Sequence, residues 1–115
     1  MSSARMRRVD GTVRAVLSDA IATQLKDPRV GFVTVTAVKT SQDLRHSSVY
    51  ISVLGDARAR AESLAGLRSA QGFLQRHLAR ELALKHTPTL TFAYDESVDR
   101  GMRISELLDN EGPDA

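Results

Sequence analysis

The chain has 115 residues and neither cysteine nor tryptophan. Without cysteine there can be no disulfide, no thiolate nucleophile and no Cys-based zinc site. Histidine is scarce as well: His46, His77 and His86 form no metal-ligand spacing such as HxxxH. Aromatic residues make up only 4% of the chain, too few for the stacking platforms of an RRM or OB-fold. The expectation is that most of Phe32, Tyr50, Phe73, Phe92 and Tyr94 pack in the core, with the two tyrosine hydroxyls free to reach the surface. No apolar run is long enough to span a bilayer. The basic start, Met1 to Arg8, lacks the apolar stretch of a signal peptide, so a soluble cytoplasmic protein is expected.

Catalytic and phosphate-binding signatures are missing too. There is no GxxxxGK[ST] loop, no GxGxxG turn and no GxSxG elbow. Asp95 and Glu96 are adjacent and would not face one another on a helix or strand. They read better as charge at a helix N-terminus. His46 reads as a strand-edge surface residue and His77 as a helix flank. No enzyme activity, metal or cofactor is expected.

What is present is positive charge, unevenly placed. Residues 1–90 hold 14 Lys+Arg against 7 Asp+Glu, whereas residues 91–115 hold 2 against 7, so a body of +7 carries a C-terminal segment of −5. Such an asymmetry suits a polyanionic partner for the body, although solvated faces would give the same count.

Hydrophobic periodicity predicts the elements. Val9, Val13, Val16, Leu17, Ala20, Ile21 and Leu25 form one helical stripe over residues 3–26, ended by Pro28, with Asp27 turning or capping the Asp27-Pro28-Arg29 segment. Phe32–Lys39 alternates as a strand, with Val33, Val35 and Ala37 on one face and Phe32, Thr34, Thr36 and Val38 on the other. Thr40-Ser41-Gln42-Asp43 is turn chemistry, and Val49–Leu54 is the antiparallel return strand. Asp56 is placed to N-cap a helical region over residues 57–85, apolar at Leu64 and Leu67 and again at Leu74, Leu78 and Leu82. Glycine weakens a helix, so Gly72 marks a kink near Ala70–Gly72, with Gly66 a second soft point. Leu90–Tyr94 is a third strand, and Ser97 could cap a short final helix. Residues 1–110 then form one domain, and 111–115 a disordered acidic tail. The class is α+β, with helices packed on one face of a three-stranded sheet and the other face partly exposed or covered by the tail.

Within this order the arginines have local logic. Arg76 and Arg80 share a helix face at i, i+4. A break at Ala70-Gln71-Gly72 would offer helix N–H groups beside Arg68 and Arg76, a backbone-phosphate clamp. An ordinary helix–helix turn with solvated arginines fits the same residues equally well.

Several stretches resemble one family. Arg7-Arg8-Val9, Lys26-Asp27-Pro28-Arg29-Val30, Val49-Tyr50-Ile51-Ser52-Val53, Ala70-Gln71-Gly72, Leu90-Thr91-Phe92-Ala93-Tyr94-Asp95 and Gly101-Met102-Arg103-Ile104 together resemble ribosome-binding factor A over about residues 5–109. The resemblance implies a type II KH-like fold of order α-β-β-α-α-β with a kinked helix pair. KH domains clamp backbone with a GxxG loop. This chain has none and would use the family's Ala-x-Gly kink. It further implies a non-catalytic monomeric factor that binds the small ribosomal subunit and 16S rRNA during late maturation and supports cold adaptation. The contact residues expected are Arg7, Arg8 and Arg14 on the first helix, Lys26 and Arg29 at the turn, and Arg68, Ala70, Gln71, Gly72, Arg76 and Arg80 around the kink. The competing expectation is a protein-interaction module that docks through the acidic C-terminal segment or the sheet face.

Overall fold

The computed structural model describes residues 4–97. Its elements are α1 (Ala4–Thr23), β1 (Val33–Thr40), β2 (His46–Val53), α2 (Ala57–Ser69), α3 (Gln71–Glu81) and β3 (Thr89–Tyr94). This is the type II KH-like order, α-β-β-α-α-β. The sheet order is β1-β2-β3, with β2 central, antiparallel to β1 and parallel to β3. All three helices pack on one sheet face: α1 on β1 and α3, α2 on β2 and β3, and α3 on β3.

The helical stripe of α1 is buried at Val13, Leu17, Ala20 and Ile21, with Val9, Val16 and Leu25 packed around it. Leu67, Leu74 and Leu78 cover Val35, Val49, Ile51, Leu90 and Phe92 from the helical side. Asp56 caps α2 as expected, its carboxylate accepting from the Ala59 N–H at 2.9 Å. Gly55, at φ +134°, makes the turn just before the cap. A Cβ there would lie 2.8 Å from the Ala59 Cβ.

Four expectations need correction. First, β1 does not alternate strictly. A β-bulge at Thr36 shifts the register from Val35↔Ile51 to Ala37↔Tyr50. The extra residue turns Val38 and Thr40 inward with Val35, so Val38 is core and Ala37 is not. Second, β2 starts at His46 rather than Val49. Ser47, fully buried, meets the buried Thr40 hydroxyl at 2.8 Å, a polar pair that extends the ladder beyond the apolar pattern. Third, α3 stops at Glu81. Leu82 is already extended (φ −96°, ψ 128°), yet it still packs on the core as the chain turns back toward β3. Fourth, Phe32 is 80% exposed rather than packed in the core, and it sits beside Leu54, 76% exposed. The Leu54 N–H donates to the Phe32 carbonyl at 3.0 Å, so the two adjoin at the open end of the hairpin.

Glu96 and Ser97 are helical, and Asp95, not Ser97, provides the cap: its carboxylate accepts from the Ser97 N–H at 2.9 Å. The remainder of the expected final helix, and the tail at 111–115, lie outside the described residues.

Candidate nucleic-acid interface

The predicted contact residues fall into three places. Arg7, Arg8 and Arg14 are exposed along α1. Lys26 and Arg29 belong to the loop from α1 to β1, whose shape follows from its residues. The Asp27 carboxylate accepts from the Arg29 N–H at 2.9 Å and holds the Arg29 guanidinium at 2.6 Å. This pairing lowers the Asp27 pKa, chiefly through the side-chain hydrogen bond, and raises that of Arg29. Arg29 therefore arrives partly neutralised, and exposed Lys26 is the other cation of the loop.

The loop is seated on α2 through two features. Buried Ser63 accepts from the Gly31 N–H at 3.2 Å and donates to the Arg29 carbonyl at 3.4 Å. Gly66 allows the close approach: a Cβ on it would stand 2.6 Å from Val30 Cγ2 and 3.4 Å from Arg29 Cβ. Gly66 is thus a packing glycine rather than a soft point of the helix.

The third group surrounds the break between α2 and α3. Ala70 alone separates the helices, at φ −88° and ψ 5°, and its N–H still bonds to Gly66 and Leu67 carbonyls. Arg68, Gln71 and Gln75 lie at i, i+3 and i+7 and share one helix face. That face lies along the outer edge of β3. Arg68 donates to the Phe92 carbonyl at 3.1 Å, and Gln71 to the Leu90 carbonyl at 2.6 Å. Gln75 donates to the Pro88 carbonyl and accepts from the Leu90 N–H at 3.1 Å. These side chains satisfy an edge strand that would otherwise present unpaired backbone groups. Sequence reasoning placed Arg68 and Gln71 in the interface and missed this structural work. It overlooked Gln75 altogether, although the i, i+4 spacing of Gln71 and Gln75 was its signal.

Gly72 behaves differently. It is exposed, and a Cβ there would meet only the Arg76 guanidinium, at 3.3 Å. Nothing in the fold requires a glycine at this place. The backbone is open to approach, with exposed Arg76 and Arg80 one and two turns on. Elsewhere on α3, Glu81 and His77 line a cleft with Ala15, Val16 and Asp19 of α1. His77 is half-buried there and stacks on Phe73, ring centroids 6.3 Å apart. Arg76 and Arg80 are the arginines of α3, and Glu81 and Asp19 are the acids of the α1–α3 cleft. Among the described residues no group of three or more His, Asp or Glu could hold a metal ion.

A family model, ribosome-binding factor A, matches residues 5–108. The chain belongs to the ribosome-binding factor A family. A relative of that name from Anaeromyxobacter sp. (strain K) is 53% identical over 105 residues, covering 90% of this chain and 76% of the relative. The crystal structure of ribosome-binding factor A from Thermus thermophilus superposes with a TM-score of 0.70 at 28% identity, over 77% of this chain and 93% of that one. A homology model of the Thermus thermophilus factor, as fitted into the cryo-EM map of a 30S complex with ribosome-binding factor A, aligns with a TM-score of 0.62 at 29% identity, over 76% of this chain and 91% of that one. The structural neighbours share the KH-like fold, and in this chain the two helices part at Ala70, beside Gln71 and Gly72. No described helix is long and apolar enough to cross a membrane.

Proposed function

We propose that this member of the ribosome-binding factor A family is a cytoplasmic, monomeric, non-catalytic assembly factor. It binds the small ribosomal subunit and its 16S rRNA during late maturation. The observation that carries this reading is the open backbone at Gly72 beside the Arg76–Arg80 stripe. A missing side chain there lets a phosphate approach the first turn of α3, where the positive end of the helix favours an anion. Arg76 and Arg80 add charge without base readout, so contacts position the factor rather than read sequence. Arg7, Arg8, Arg14 and Lys26 extend the positive surface, whereas Arg29 contributes less because Asp27 holds it. Arg68 and Gln71 keep the junction in place against β3, and Ala70 packs on the core. The relative seen with the 30S subunit supports the same partner for this chain.

The test is binding of the full chain to purified small subunits across a range of salt. Affinity falls as salt rises, because neutralised phosphates release counterions. The variant Arg76→Ala/Arg80→Ala lowers the slope of log K against log salt by about 1 per residue, with an unchanged circular dichroism spectrum. A salt slope identical to that of the unsubstituted chain removes the α3 stripe from the interface.

A further inference from the structure

The entrances of β2 and β3 bring together side chains that the reading above does not use. Arg45 closes the β1–β2 turn, His46 opens β2, and His86 and Thr87 lead through buried Pro88 to Thr89 at the start of β3. Together Arg45, His46, His86, Thr87 and Thr89 line a cleft of about 400 Å³. The strands themselves hold the cleft in shape. The Thr89 N–H donates to the Arg45 carbonyl at 2.8 Å, and His46 pairs with Thr89 across the parallel ladder. On the other side, the His46 N–H donates to the Ser41 hydroxyl at 3.1 Å, and the Ser41 N–H to the His46 carbonyl at 2.8 Å.

The five side chains are donors. A guanidinium offers five N–H groups and no acceptor, each imidazole presents an N–H in either protonation state, and the two threonines add hydroxyls. None of the five is a carboxylate. Asp43 faces Arg45 and His46, and its carboxylate is already engaged by the Ser41 hydroxyl at 2.6 Å and the Arg45 N–H at 3.0 Å. A metal ion does not suit the set, because two imidazoles lack a third ligand and stand beside a permanent cation. A phosphate does suit it: a compact anion with several acceptor oxygens, matched by a guanidinium fork and by imidazole N–H and threonine O–H groups that line the same cleft.

We propose that the cleft at the β2 and β3 entrances is an anion site that takes a phosphate group, either from an RNA backbone or as free phosphate. It lies apart from the Gly72–Arg80 stripe and does not rest on the ribosome reading, since the isolated full chain would bind phosphate whatever its partner.

The experiment follows the imidazole Cε1–H signals of His46, His86 and His77 by NMR at fixed pH and ionic strength. Inorganic phosphate and a short RNA duplex are titrated in separate samples. His77 is the internal control, since it lines the α1–α3 cleft instead. The expected result is a saturable shift of His46 and His86 with phosphate, and no shift of His77. Arg45→Ala weakens that binding about tenfold, and His86→Gln does so independently. Arg45 and His86 are both exposed, so neither change should disturb the fold, and the remaining spectrum reports this directly. If the RNA duplex moves the same two signals and phosphate competes with it, the natural ligand is a backbone phosphate. If RNA leaves them unmoved while phosphate saturates them, the site stands as one for free phosphate. A uniform, non-saturating drift of all three histidines, or full phosphate affinity in both variants, overturns the proposal.

Discussion

The two ends of the sheet are built from different forces. At the end where β1 begins and β2 finishes, close packing acts together with hydrogen bonds such as those of Ser63 to Gly31 and Arg29. The 27–31 loop rests on α2 through the missing side chain of Gly66, Phe32 and Leu54 stand exposed side by side, and Arg60 lies over the Tyr94 ring at 4.5 Å. At the other end, where β1 finishes and β2 and β3 begin, nearly everything is polar. Thr40 and Ser47 share a buried hydrogen bond, Asp10 of α1 accepts from the Thr40 N–H at 3.0 Å, and Asp43 and Ser41 organise a turn that puts Leu44 at φ +61°. The first end is therefore sensitive to volume at Gly66 as well as to hydrogen bonding, whereas the second rests mainly on hydrogen-bond partners. The α2–α3 junction meets the edge of β3 through Arg68 and Gln71.

The largest effect is expected where volume decides. Gly66→Val drives side-chain atoms into the space of Val30 Cγ2, already only 2.6 Å from the position of a Cβ, and lifts the 27–31 loop from α2. Overpacking of this kind costs about 1–3 kcal/mol, read as a lower urea midpoint at unchanged slope. The paired control is Gly72→Ala, which meets only the Arg76 guanidinium, the far end of a flexible side chain, and gains helix propensity. It should leave stability unchanged or slightly raised. Equal losses at both glycines would erase the distinction between a packing glycine and an open one.

The polar end responds to a different operation. Thr40→Val leaves the Ser47 hydroxyl buried without its partner, which costs about 1–3 kcal/mol. Thr40→Val/Ser47→Ala removes both hydroxyls and should cost less than the sum of the single changes. A double-mutant cycle on urea midpoints measures that coupling. Strict additivity would mean that the pair contributes nothing to this end of the sheet.

This contrast also explains what could be read from sequence. The apolar stripes of α1 and α3 and the β-branched strands set the element order, because burial selects residue type at each helical or strand period. The stretches that followed polar or steric logic were misplaced. Thr40 reads as a turn residue, and alternation starts the second strand only at Val49, because a buried hydroxyl pair such as Thr40–Ser47 has no hydrophobic signature. The bulge at Thr36 could not be seen from alternation alone, so Val38 was put on the wrong face. Gly66 read as a weakness because sequence shows a missing Cβ but not what occupies its space. Of the expected contact residues, Arg76, Arg80 and Gly72 keep the exposed surroundings that their spacing suggested. Arg68 and Gln71 are also partners of the β3 edge, a role that only the return of β3 beside the α2–α3 junction creates.

The smallest expected effect compares two carboxylates, one at each end. Asp27 and Asp43 both titrate below the ordinary value of 3.8. For Asp27 the main cause is the hydrogen bond from the Arg29 guanidinium. For Asp43 it is the Ser41 hydroxyl, followed by the Arg45 N–H. A carboxylate whose pKa is lower in the folded than in the unfolded chain stabilises the fold fully above its unfolded pKa, and that contribution fades as pH falls through the folded value. Both groups therefore favour folding at neutral pH and lose this below about pH 4. Carboxyl-carbon NMR titrations of two single variants separate them. Arg29→Gln should return Asp27 toward 3.8 and leave Asp43 where it was, whereas Ser41→Ala should raise Asp43 alone. Arg45 and His46 also hold Asp43 down by their charge, so phosphate bound in the neighbouring cleft should raise the Asp43 pKa and leave Asp27 unmoved. A phosphate response at both carboxylates would signal general screening, and the two ends of the sheet would then be electrostatically alike.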